Sequence, residues 1–135
     1  QLKKKYKDLI EVDIITGLPL AECLERKSMC NIFIDEVKTA SYHRSGLESL
    51  GMGILSICSV SENVEKVFLN SCGAPKNPFI NVYHYDLFEE LSSIIDQGLD
   101  AILLQGWESR NWMETYWSPR VIAEEYIKIY KNIIN

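Results

Sequence analysis

Residues 40–58 gather the side chains and backbone that could bind a charged ligand. A polar loop, Tyr42-His43-Arg44, runs into Ser45-Gly46 and then a short helix carrying Leu47, Glu48 and Leu50. Gly51 and Gly53 bound a turn, and Ile54, Leu55, Ile57 and Cys58 follow as an apolar run. A helix that begins after a loop points unpaired N–H groups outward, with the positive end of its dipole behind them. Such an end holds an anion without any charged side chain. A phosphate would meet the amides of this helix start, and Glu48 would take hydroxyl groups. His43 and Arg44 would add positive charge, Arg by paired hydrogen bonds. That is the chemistry of a nucleotide or a nucleotide-sugar. Without a ligand, the same residues make a solvated loop and a carboxylate that steadies the helix dipole.

The elements that must position this stretch read as alternating strands and helices. Residues 2–10 read as the end of a helix with Lys3, Lys4, Lys5 and Lys7 clustered on it, suited to the negative end of the dipole. Residues 12–15 read as a short strand ended by Thr16-Gly17. Leu18-Pro19 opens the next helix, whose buried face is marked by Leu20, Cys23 and Leu24 at i, i+3 and i+4. Residues 31–34 and 54–58 are continuous apolar runs of the kind that strands covered on both faces show. Ser61 caps a helix through Val64, Val67 and Phe68, and Gly73, Pro75 and Pro78 end it. Residues 80–83 read as a last strand. Asp86 caps a helix with Leu87, Leu91, Ile94 and Ile95 on one face. A long helix from Leu99 to Trp117 ends in aromatic residues, and Ser118-Pro119 restarts a final one. Its stripe of Ile122, Tyr126, Ile129, Tyr130 and Ile133 reads as a docking face. Repeated βα units predict an α/β, Rossmann-like parallel sheet with helices on both faces. Ligands of such sheets bind at the carboxyl ends of the strands. The loops 16–19, 35–44 and 58–61 would converge there.

The composition sets outer limits. A chain of 135 residues, 47% hydrophobic and 24% charged, reads as one globular domain. Its net charge of -5 argues against nucleic acid as a partner. The four cysteines are scattered with no CxxC pair, so buried thiols in a reducing, cytoplasmic setting are expected. No apolar run is long enough for a transmembrane helix, and the basic start lacks the apolar core of a signal peptide. The lysine cluster offers, as an alternative to a dipole role, peripheral contact with an acidic membrane surface.

A resemblance rests on the order of these motifs. A strand ends in Thr16-Gly17-Leu18-Pro19; Asn31-Ile32-Phe33-Ile34-Asp35 comes later; then Tyr42-His43-Arg44-Ser45-Gly46-Leu47-Glu48-Ser49-Leu50-Gly51-Met52-Gly53-Ile54. Gly106, Arg110, Trp112, Tyr116 and Ser118-Pro119 close the chain, with a helix to Tyr130. The set resembles the donor-binding C-terminal half of family-4-like (group 1) glycosyltransferases of the two-Rossmann-domain fold, over nearly the whole chain. The resemblance implies a hexosyl-type transferase that takes a nucleotide-diphosphate sugar and needs neither metal nor cofactor. It passes the sugar to a glycan or lipid-linked acceptor in polysaccharide biosynthesis. It gives Glu48 the ribose hydroxyls, the helix-start amides of Ser45, Gly46 and Leu47 the diphosphate, and Leu18 the base. Residues 1–135 would be the nucleotide-sugar-binding half of a larger enzyme, inactive without its acceptor-binding N-terminal domain, with the first strand of its own sheet absent. Three positions depart from the family: Ala40 stands where an acid near the sugar is common, His43 where Gly is usual, and Leu55 where a Pro-Val follows. Ala40 and the absent first strand favour, as the alternative, a non-catalytic nucleotide- or sugar-nucleotide-binding module of the same fold.

Other chemistries have weaker footing. Asp35-Glu36 at a strand end would suit a metal or a phosphorylated receiver domain, or simply water. Ser41 and His43 share a loop but nothing orients a triad. His84 reads as a surface residue. The aromatic residues Trp107, Trp112, Tyr116 and Trp117 read as packing between terminal helices rather than a sugar-stacking platform.

Overall fold

The computed structural model describes residues 1–134. The chain begins with α1 (Leu2–Tyr6) and a 3-10 turn over Lys7–Leu9, followed by extended chain to α2 (Leu20–Ser28). Then come β1 (Ile32–Ile34), α3 (Arg44–Gly51), β2 (Leu55–Cys58), α4 (Glu62–Cys72) and β3 (Ile80–Asn81). Three helices finish it: α5 (Leu87–Asp96), α6 (Leu99–Tyr116) and α7 (Pro119–Ile134). The three strands form one open parallel sheet in the order β1-β2-β3, with Ile32 opposite Leu55 and Ile57 opposite Ile80. The protein is therefore α/β.

The central strand β2 is buried along its whole length. Its side chains alternate between two clusters, as a strand's must. Leu55 and Ile57 pack with Val82, Leu91, Ile94 and Ile102 on one face. Cys58 packs with Leu50, Phe68, Phe79 and Trp112 on the other. Helices α3 and α4 share that second face, as two successive parallel crossovers running in one direction require. Buried Ser49 of α3 and Ser56 of β2 share a 2.7 Å hydrogen bond that ties the helix to the strand. Trp112, Tyr116 and Trp117 close the same cluster over Phe68, and the Trp112 indole N–H donates to the Lys76 carbonyl at 2.9 Å. The C-terminal aromatics are thus packing residues, apart from Trp107, which is exposed.

Helix α6 crosses the amino end of β2, contributing Ile102 to one cluster and Trp112 to the other. The crossing is at Gly106, where an added Cβ would lie 2.2 Å from the Gly53 carbonyl oxygen and 3.3 Å from the Leu55 nitrogen. Only a residue without a side chain lets the helix backbone approach so closely.

Several expectations need correction. Residues 12–15 form no strand: the stretch has no ladder partner, Val12 and Ile14 are exposed, and Asp13 is bound instead by Arg26 of α2. The first helix stops at Tyr6, where the Tyr6 hydroxyl and Lys5 both reach Asp96 of α5. Pro19 sits at the N-cap of α2 rather than inside its first turn, and Leu20 is exposed. Val67 turns outward from α4, and the Asp86 side chain makes no capping bond. The last strand ends at Asn81. The apolar stripe of α7 is covered only near Ile122; Tyr126, Ile129, Tyr130 and Ile133 are exposed, because the helix runs on past the elements it could pack against. Ser61 does cap α4, accepting from the Val64 amide, and Gly73 ends the helix at φ +67°.

The tight crossing gives a testable outcome. Gly106→Ala should destabilise the chain by about 1–3 kcal/mol, the usual cost of overpacking. Gly51→Ala, where an added Cβ meets nothing within 4 Å, should be neutral or slightly stabilising. Urea unfolding of the two variants against the parent measures the difference.

Candidate functional site

The carboxyl edge of the sheet is bridged by the chain that leaves β1. The Asp35 amide donates to Ile57, Ser59 to Glu36, His84 to Val37 and Ser61 to Ala40. Residues 35–40 therefore lie across the ends of β2 and β3, as they must when strands of two to four residues leave few ladder bonds to hold the edge. Ala40 adopts φ +58° in this segment, a left-handed conformation that non-glycine residues adopt seldom. Two of the three expected loops, 35–44 and 58–61, are thus brought together. No hydrogen bond ties residues 16–18 to either of them, and an added Cβ on Gly17 would touch nothing within 4 Å.

At the start of α3, the N-cap is His43. Its amide donates to Asp35 Oδ2 at 2.9 Å, and its ring Nδ1 lies 3.7 Å from the same oxygen. Asp35 is nearly buried, and an added Cβ on Gly46 would fall 2.7 Å from its carboxylate. Glycine at 46 is what admits this carboxylate to the positive end of the helix. The Gly46 and Leu47 amides both donate to the His43 carbonyl. A phosphate at the helix start would therefore share it with Asp35. Cys58 lies beneath, its thiol 4.0 Å from Asp35 Oδ2; burial first, then the Asp35 charge, push it up to about 11.

Glu48 lies one turn further along and is held by two cations of different kinds. Lys27, only 2% exposed, reaches Glu48 Oε2 at 2.9 Å, Ser45 Oγ at 2.9 Å and the Ser45 carbonyl at 3.1 Å. These three acceptors match the three N–H bonds of an ammonium group, and the Phe33 ring lies 4.7 Å from the nitrogen. Arg44 Nε binds Glu48 Oε1 at 2.9 Å from the outside, with its side chain 82% exposed. Burial alone would raise the Glu48 carboxyl; the hydrogen bond and charge of Lys27, then those of Arg44, more than offset this and leave it below the ordinary carboxylate range.

Lys27 was legible from its spacing, at i+4 from Cys23 and i+3 from Leu24, which are half-buried, yet a lysine on an apolar face is easily discounted. Tyr83 and Tyr85 were also missed as a pair. Their rings are parallel to within 2°, with centroids 5.6 Å apart, and Tyr85 is exposed beside the bridging segment. A shallow cleft of about 450 Å3 opens on the other side of that segment, lined by Ser41, Tyr42, Asn63, Val64 and Val67. None of the expected binding residues lines it. Leu18 is half-buried, on the 16–19 segment.

Comparison with known proteins gives no match: no family model, no curated protein and no solved structure is similar to this chain. No helix among the described residues is long and apolar enough to cross a membrane.

The Lys27–Glu48 contact has a pH signature. Because the folded state holds Glu48 below its unfolded pKa of about 4.3, its stabilisation is present above that pH and is lost as pH falls through the folded value. Glu48→Gln should cost about 1–3 kcal/mol at pH 7, and the gap from the parent should close as pH is lowered from 6 to 3. Lys27→Met should remove the same pH-dependent increment. Denaturant melts across that range check both.

Proposed function

We propose that this chain is the Rossmann-like donor domain of a glycosyltransferase, binding a nucleotide-diphosphate sugar at the carboxyl edge of its sheet. The observation that carries the reading is the state of Glu48. Its carboxylate is fixed from below by buried Lys27, while its other oxygen is covered only by an exposed arginine.

Magnitudes decide how such a site would load. An exposed i,i+4 pair on a helix contributes about 0.3–0.5 kcal/mol. A hydrogen bond to a charged group contributes about 1.5–3 kcal/mol. Arg44 therefore leaves Glu48 at little cost, turning to the diphosphate and freeing Oε1 for the ribose hydroxyls. His43, half-exposed, adds a second positive group when protonated. Asp35 at the helix start keeps the diphosphate on these side chains, with the amides of Ser45, Gly46 and Leu47 behind them supplying the dipole. Leu18 and the Tyr83–Tyr85 pair offer apolar surfaces for the base or the sugar. Positive charge at the diphosphate stabilises the leaving group as the glycosidic bond to it breaks. No metal ion or cofactor takes part, and the glycan or lipid-linked acceptor is held by a second domain, so this chain alone transfers nothing. The setting is cytoplasmic, with the α1 lysines available to an acidic membrane surface.

A second reading is a non-catalytic nucleotide- or sugar-nucleotide-binding module. It is favoured by Asp35 filling the helix start and by Ala40 standing where the resemblance would put an acid. Transfer of radiolabelled sugar by the intact polypeptide that carries this domain supports the enzyme; nucleotide binding without turnover supports the module.

Calorimetry with UDP, GDP and ADP tests the shared core of both readings. One of the three should bind, and Glu48→Ala should weaken it by about 1.5–3 kcal/mol, roughly ten- to hundredfold. Absence of binding by all three, or parental affinity in the variant, rejects the site.

A further inference from the structure

A second concave site lies at the opposite, amino edge of the sheet. A cavity of about 190 Å3 sits between α6 and the loop that leads into β3, beside the first residues of β2 and β3. Pro78, Phe79 and Trp112 give it apolar walls. Its frame is braced, since the Trp112 indole donates to the Lys76 carbonyl and the Ser109 hydroxyl to the Gln105 carbonyl.

Two polar atoms of the lining residues Asn77 and Gln105 are buried with no partner: Asn77 Nδ2 and Gln105 Oε1. The Asn77 amide cannot simply be turned round. Its Oδ1 accepts the Phe79 backbone N–H at 3.0 Å, which fixes Nδ2 as the free end. Buried polar groups are nearly always matched, so one unmatched donor and one unmatched acceptor, enclosed on two residues that line a single cavity, are an exception that a ligand meeting them by a turn of each side chain would remove. A hydrocarbon would leave both unmatched. A ring carrying a carbonyl beside an N–H would satisfy both, accepting from Asn77 and donating to Gln105, while its faces meet Phe79 and Trp112. The volume agrees, because a cavity of about 150 Å3 holds one benzene ring.

We propose that this cavity binds a six-membered heterocyclic lactam, the edge presented by a pyrimidine base. The site is independent of the carboxyl edge and of the reading given to it.

The test is titration of the intact chain with uracil, followed by calorimetry and tryptophan fluorescence. Uracil should bind saturably, and 1,3-dimethyluracil, which has no N–H, should not. Asn77→Asp keeps the acceptor for Phe79 but removes the donor, and Gln105→Met removes the acceptor at similar length. Each should weaken uracil binding at least about tenfold in protein whose circular dichroism matches the parent. The proposal is overturned by no saturable uracil binding, by equal binding of dimethyluracil, or by unchanged affinity in both variants. A crystal soaked in uracil that shows only water joining Asn77 to Gln105 also overturns it. The dimethyluracil comparison uses the parent chain and so decides the question even where a variant fails to fold.

Discussion

The arrangement of the carboxyl edge depends on one ammonium group taken out of water. Removing a charge from solvent costs several kcal/mol, and only close partners repay it. Lys27 has them: a carboxylate and two oxygens of Ser45, with an aromatic face alongside. Because Ser45 and Glu48 both belong to the first turns of α3, the lysine joins the end of α2 to the start of the next helix. It also fixes where the Glu48 carboxylate points. Removing the carboxylate from this pair costs about 1–3 kcal/mol, more than the outer Arg44 pair contributes. The same carboxylate thus has one permanent cation and one that can leave, and the contrast follows from exposure alone.

A second carboxylate sets the helix start. Asp35 sits where the dipole of α3 and the His43 amide favour negative charge, and Gly46 leaves it room. The fold has therefore supplied its own anion at the point that a helix terminus offers to ligands. Any phosphate must be drawn by side chains that project beyond it. The short strands explain why the edge needs such fastening. With two, three and four residues in the ladder, the sheet offers few backbone bonds, and the chain leaving β1 compensates by bonding across the neighbouring strand ends.

Much of this was legible from residue types, and the failures have physical causes. The run 54–58 announced a buried strand because nothing polar but Ser56 interrupts it, and Ser56 is matched by Ser49. The run 31–34 does form a strand, but not the central, twice-covered one expected: β1 is at the sheet edge and Ile34 is exposed. The reading of the C-terminal aromatics as packing holds for Trp112, Tyr116 and Trp117, which meet over Phe68; Trp107, five residues before Trp112, falls on another face and is exposed. Residues 12–15 misled because a β-like pattern states only what a strand would look like; whether a neighbour exists to pair with it is a property of the whole fold. The stripe on α7 misled in the converse way, since amphipathicity describes a surface that suits burial without naming what covers it. Asp35 could not be connected to Gly46 at all: eleven positions separate them, and the contact exists only because β1 and α3 meet at the sheet edge. Lys27 was the instructive case. Its spacing from Cys23 and Leu24 fits the buried face, while its chemistry argues against that face. The conflict is resolved by partners from another helix, which no local pattern encodes.

The two proposed sites occupy opposite ends of one strand. β2 has four residues, and three rises of about 3.3 Å put its first and last roughly 10 Å apart. Ser56 touches the amino-edge cavity, and Cys58 lies under Asp35 at the other edge. Between them the strand is buried on both faces and pinned by α6 at Gly106. A close-packed strand of this kind has little freedom to slide or tilt. A ligand at either edge therefore meets a rigid wall, with its adjustable parts confined to side chains: Arg44 and His43 at one end, Gln105 at the other. That division places the stiffness of the molecule in its sheet and helix crossings, and leaves selectivity to a few groups that can move without disturbing the core.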